Sequence, residues 1–183
     1  MNIPNSLSLL RIGLIPCFVV VFYLPVDWSR VAAAVLFAIA AITDWMDGYL
    51  ARRLGQISKL GAFLDPVADK LMVAVVLVIL LQADPSIWLA LPVGVIIGRE
   101  IAVSALREWM AELGARTRVA VSGLGKVKTA AQMVAIILLI LRDAIDSVPI
   151  YEIGYGLLYF ATVLTLWSMM QYLWAAWPEL SRH

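Results

Sequence analysis

Two residue types that dominate enzyme chemistry are nearly absent. The 183-residue chain has one cysteine, Cys17, and one histidine, His183. A single cysteine excludes an internal disulfide and any cysteine metal cluster. A lone terminal histidine argues against histidine catalysis and a histidine-built zinc site. Charge is also scarce, at 15% of residues against roughly 25% in soluble domains. No nucleic-acid partner is expected. Cys17 is expected to serve as small apolar filler. The stretch LIPC before it resembles a lipoprotein cleavage box, but Pro16 stands where a small residue is needed. A removable signal peptide is not expected either, because there is no basic leader and Arg11 interrupts the first apolar run with no small-residue cleavage site after it.

What fills the chain is apolar: 63% of residues are hydrophobic and the mean hydropathy is +0.91. A bilayer span needs about 20 mostly apolar residues. Six runs meet that length, at roughly 8–26, 30–51, 62–82, 86–108, 121–141 and 151–176, joined by short polar connections. No repeat or long linker divides them, so an all-α integral membrane protein with six transmembrane helices and a single domain over 1–183 is expected. If the chain starts in the cytoplasm, twelve of the fourteen Lys and Arg residues fall toward that side. Only Arg30 and Arg142 fall opposite. This asymmetry predicts that both termini are cytoplasmic. Trp28, Trp88, Trp167, Trp174 and Trp177 are expected to anchor the spans at the interface.

Four aspartates break the apolar pattern. Residues three and four apart share a helix face, so Asp44, Asp47, Gly48, Ala51 and Arg52 form one stripe at the cytoplasmic end of the second span, and Gly61, Asp65 and Asp69 form another on the third. Carboxylates meeting in a half-buried cavity repel unless cations or protons compensate them. Hard oxygen donors favour a divalent ion such as Mg2+ or Mn2+. Intramembrane ionisable groups are costly and mark function by default. Gly48, Ala51 and Gly61 allow close approach to the backbone, and Arg52 could pair with a phosphate in bidentate fashion. Pro66 would either kink the third span or mark its start. GLGK at 123–126 is not a nucleotide P-loop, because Ala120 and Val127 occupy positions that need Gly and Ser or Thr.

The spacing D-x2-D-G-x2-A-R-x8-G-x3-D-x3-D is met in full by Asp44, Asp47, Gly48, Ala51, Arg52, Gly61, Asp65 and Asp69. It resembles the signature of the CDP-alcohol phosphatidyltransferases. NIPNSLSLLRIGLIP and the stretch GREIAVSALREWMAELGARTRVAVSGLGKVKTAAQ resemble the bacterial phosphatidylglycerophosphate synthases, a branch of that family, so the similarity covers nearly the whole chain. The resemblance implies transfer of a phosphatidyl group from CDP-diacylglycerol to sn-glycerol 3-phosphate, giving phosphatidylglycerophosphate and CMP. It also implies a homodimer in the bacterial cytoplasmic (inner) membrane with the active site facing the cytoplasm. By position, Asp44, Asp47, Asp65 and Asp69 would bind two divalent cations, Mg2+ or Mn2+, with Asp69 also the general base. Asn5, Ser8, Gly48, Arg52, Ser58 and Gly61 would meet the CDP-diacylglycerol donor.

A glycerol 3-phosphate dianion needs fixed cations, and Arg99, Arg107, Lys126 and Lys128 are the candidates. Arg107, two turns from Arg99, lies on nearly the same face, whereas Glu100 is expected to face elsewhere. Arg116 and Arg118 are equally well explained by topology and attraction to anionic headgroups. Two rival readings remain. One is a same-family transferase using inositol phosphate, serine or phosphatidylglycerol as acceptor. The other is a cation or proton transporter, although the acids cluster at one end and, past Arg30 at the very edge of the second span, the outer halves of the second and third spans carry no ionisable residue.

Overall fold

A computed structural model describes the backbone of residues 3–54, 59–112, 123–142 and 149–180, and the side chains of 8–43, 64, 67–111, 125, 127–142, 149–175 and 177. Among the described residues all regular structure is helical: α1 Ile3–Phe22, α2 Ser29–Leu54, α3 Lys59–Ala83, α4 Ile87–Glu112, α5 Gly123–Ile140 and α6 Ile150–Leu180. Each corresponds to one of the six apolar runs. The helices overrun the apolar stretches at several ends, α2 to Leu54 and α6 to Leu180. Main-chain hydrogen bonding does not stop where side chains turn polar. Because α3 begins at Lys59, Pro66 does not mark its start.

The helices close into a ring. α1 packs on α2 and α3, α2 meets α5, α5 meets α6, α6 meets α4, and α4 returns to α3. Ser86 organises the tight α3–α4 connection: its hydroxyl accepts from Trp88 N at 3.2 Å and its carbonyl from Leu89 N and Ala90 N, an N-cap arrangement. Phe18, Phe37, Leu77, Ile96, Ile136 and Leu158, one from each helix, are almost completely buried and form part of a common core. Burial of this kind stabilises by about 25 cal/mol per Å² of apolar surface removed from water. Gly154 lets α5 and α6 approach closely: a Cβ there would meet Leu138 Cβ at 3.1 Å.

The outward faces are apolar as well. Val20, Val35, Val78, Ile101 and Val163 are each more than half exposed, which for a water-facing surface would be a liability. The segments Ile87–Ala111 and Ile150–Ala175 are long and apolar enough to cross a membrane, while the apolar stretches Ser8–Phe22, Ser29–Thr43 and Val127–Ile140 are shorter. The five tryptophans expected at interfaces are all more than half exposed. Cys17 lies on the exposed side of α1 and is not core filler. Its neighbour Phe18 takes the inward position, because adjacent helical residues diverge by about 100°.

Candidate active site

A cavity of about 240 Å³ opens between α3, α4, α5 and α6. α3 supplies Asp69 and Lys70, α4 supplies Arg99, Glu100 and Arg107, and α5 supplies Lys128 and Gln132. Ser168 and Tyr172 of α6 complete the wall. Three of the four cations expected for the acceptor, Arg99, Arg107 and Lys128, therefore share one cavity with the expected general base. The fourth, Lys126, lies in α5 with its side chain outside the described residues.

Arg99 is held from three sides. Its Nη1 donates to Glu100 Oε1 at 2.7 Å, its Nη2 donates to Ser168 Oγ at 3.0 Å, and its guanidinium carbon lies 5.9 Å from the centre of the Tyr172 ring. Although the residue is only 9% exposed, Nε has no hydrogen-bond partner among the described residues. A buried donor left unsatisfied costs about 1–3 kcal/mol. Arg107 reaches the same tyrosine, donating from Nη2 to its hydroxyl at 2.6 Å and lying 5.0 Å from the ring centre. Lys128, 5% exposed, donates to the same Glu100 Oε1 at 3.0 Å. Lys70 donates to Ser104 Oγ, and that hydroxyl donates to the Glu100 carbonyl at 2.5 Å.

The position of Glu100 corrects the expectation that it would face away from Arg99. Residues i and i+1 diverge by about 100° on a helix, but the cavity is bounded by three further helices and is wide enough to receive both long side chains. Glu100, Lys70, Gln132, Ser168 and Tyr172 were not among the expected site residues. For Gln132 and Ser168 the available signal was a polar residue inside an otherwise apolar run, and both are buried.

Asp69 also lines a small adjoining cleft that shares Val73 and Met133 with this cavity, together with Arg11 of α1 and Phe37 and Ala40 of α2. Ala40 stands one helical turn before Asp44 in the sequence. Asp44 and Asp47 fall within α2 and Asp65 within α3, but their side chains lie outside the described residues, as do those of Asn5 and Arg52; for Gly48 and Gly61 only the helical backbone is described. Ser58 lies outside the described residues altogether. Ser8 is fully buried on α1. The described side chains include no cluster of three acidic, histidine or cysteine residues.

A second cavity of about 230 Å³ lies at the opposite end of the bundle, lined by Arg30, Asp84, Arg142 and Tyr151 among others. Asp84 follows Asp69 by fifteen residues, about 22 Å along a helix axis. The Asp84 carboxylate accepts from Tyr151, lies 3.4 Å from the Tyr155 hydroxyl and 3.9 Å from Arg142 Nη1. Arg142 in turn stacks over Tyr151 at 4.4 Å. These groups satisfy one another and fasten the α3–α4 turn to α6.

The cationic cavity and its carboxylate, set in an all-helical ring, suit a protein that handles phosphate esters. Residues 1–167 match the CDP-alcohol phosphatidyltransferase family, and the chain belongs to that family. Among its relatives, a Pseudomonas fluorescens protein named CDP-diacylglycerol–glycerol-3-phosphate 3-phosphatidyltransferase is 58% identical over 182 residues, covering 98% of this chain and 92% of that one. Proteins of the same name from Escherichia coli (strain K12) and Shigella flexneri serotype 5b are 56% identical over 179 residues, covering 98% of this chain and 97% of theirs.

Proposed function

We propose that this chain is an enzyme that transfers the phosphatidyl group of CDP-diacylglycerol to sn-glycerol 3-phosphate, forming phosphatidylglycerophosphate and releasing CMP. The observation that carries the reading is the meeting of Arg99, Arg107 and Lys128 with Asp69 in one cavity. Three cations from two helices provide a site for a phosphate dianion, and a carboxylate beside them can take a proton from the hydroxyl on the same small molecule. Relatives of the stated name at 56–58% identity over nearly the full chain support the same donor and acceptor.

Arg99 and Lys128 hold the acceptor phosphate from inside the cavity, and Arg107, braced on Tyr172, holds it from the more open side. Asp69 then accepts the hydroxyl proton as the acceptor oxygen bonds the diacylglycerol-linked phosphorus. The bond from that phosphorus to the CMP oxygen breaks, and CMP departs with the electron pair. General-base help of this kind is worth about 10²- to 10⁴-fold in rate. No covalent enzyme intermediate is needed, so the mechanism is sequential. Gly48, Arg52, Ser58 and Gly61, with Asn5 and Ser8, are assigned to the donor. The all-oxygen donor set of Asp44, Asp47, Asp65 and Asp69 fits Mg2+ or Mn2+, and these residues would hold two such ions. Bound there, they would neutralise the diphosphate and stabilise the CMP leaving group.

The apolar outer faces support an enzyme that crosses the membrane six times; the bias of Lys and Arg toward one side supports cytoplasmic termini, and the family resemblance supports a homodimer in the bacterial inner membrane. The cavity then opens toward the cytoplasm, where the water-soluble acceptor is available. The test is CMP release from CDP-diacylglycerol with glycerol 3-phosphate, inositol phosphate, serine and phosphatidylglycerol in turn. Turnover should require glycerol 3-phosphate, and Asp69→Asn should reduce it at least about 100-fold in a protein that remains folded. Activity with only a neutral alcohol, or near-normal turnover by the variant, would refute the assignment.

A further inference from the structure

Glu100 is out of place in a pocket built to receive an anion. Its carboxylate bonds two of the cations assigned to the acceptor phosphate, Arg99 and Lys128, through the single atom Oε1. Both cationic nitrogens lie within 3.0 Å of that oxygen, hence within about 6 Å of each other. Without the carboxylate, two nearly buried cations would face each other across the cavity. Among the described lining side chains there are four cations, Lys70, Arg99, Arg107 and Lys128, against two carboxylates, Asp69 and Glu100. Neutralising Glu100 raises the positive surplus from two to three.

We propose that Glu100 is a resident counter-anion of the acceptor cavity. It keeps Arg99 and Lys128 charged and ordered between turnovers, competes with the incoming phosphate for them, and so keeps that phosphate exchangeable. The proposal rests on the acceptor reading above and assigns Glu100 a positioning and affinity-setting role. Arg99 need not release Glu100 entirely, because a guanidinium carries five N–H donors and its bonds to Glu100 and Ser168 use two of them. The two anions nevertheless draw on the same positive potential, and the coupling is reciprocal: whatever the fixed carboxylate takes from phosphate affinity, its removal returns.

The test is calorimetric titration of the detergent-solubilised full chain with inorganic phosphate, alongside steady-state CMP release. Glu100→Gln preserves shape and removes the charge. It should bind phosphate about tenfold more tightly, within the roughly 5- to 150-fold range common for coupled ligands. In turnover, KM for glycerol 3-phosphate should fall and kcat should fall with it, since the product keeps a phosphate monoester and leaves slowly. Glu100→Ala, a second variant should the first fail to fold, should also bind phosphate more tightly, and added acetate should loosen that binding while leaving the wild type unchanged. A merely structural role would not produce a gain in affinity that acetate reverses. Phosphate binding by the charge-neutral variants that equals or falls below wild type would overturn the proposal. Wild-type protein that never turns over glycerol 3-phosphate would refute the acceptor reading instead, and the phosphate titration would still decide the role of Glu100.

Discussion

Replacing Arg99 by lysine separates charge from shape in the acceptor cavity. The positive charge remains, but the planar fork that reaches Glu100 at 2.7 Å and Ser168 at 3.0 Å and still carries further N–H donors becomes a single ammonium. An ammonium is a compact point charge and cannot reproduce that arrangement. Held by Glu100, it has no rigid third donor to offer the phosphate. The lost contact is a charge-assisted hydrogen bond, worth about 1.5–3 kcal/mol, and every 1.4 kcal/mol corresponds to about tenfold in affinity. Arg99→Lys should therefore raise KM for glycerol 3-phosphate by about 10- to 100-fold. Initial rates of CMP release measured against each substrate, with the other saturating, give the result directly. KM for CDP-diacylglycerol should stay within about twofold, because the donor is assigned to residues of α1, α2 and the segment leading into α3. Equal losses against both substrates, or a glycerol 3-phosphate KM close to wild type, would show that Arg99 does not hold the acceptor.

Two further outcomes test other parts of the molecule. Asp84→Asn removes the charge that Tyr151, Tyr155 and Arg142 share and should cost about 1–3 kcal/mol of stability, seen as a lower thermal midpoint in detergent. KM for glycerol 3-phosphate should not move, since the site lies about 22 Å away along α3; a large KM change would mean the two ends are coupled. Treatment with EDTA should abolish CMP release, and Mg2+ or Mn2+ should restore it; undiminished activity in the chelator would remove the divalent-ion role assigned to the aspartates.

The helices and their number were legible because a bilayer-length apolar run is a strong signal, and each run proved to be one helix. Arg99, Arg107 and Lys128 were legible for a related reason: a charge within or beside an apolar run is costly and so stands out. The residues that were missed are those whose position depends on a partner helix. Glu100 was placed away from Arg99 by helical angle alone, and the width of the cavity overrides that angle. Tyr172, the ring on which both arginines rest, could not be matched with Arg99 and Arg107 from sequence, because the α4–α6 contact joins residues 65 or more positions apart. Cys17 was misplaced because its apolar character suits either side of a membrane helix.

The order of helices around the ring carries a consequence for biosynthesis. α6 follows the other five in the chain, yet it fits between α4 and α5 and brings Ser168 and Tyr172 to the arginines. Until that segment is made, the cations assigned to the acceptor stand without the wall that Ser168 and Tyr172 complete. The cavity is thus closed in one late event, when the last arc of the circle is put in place.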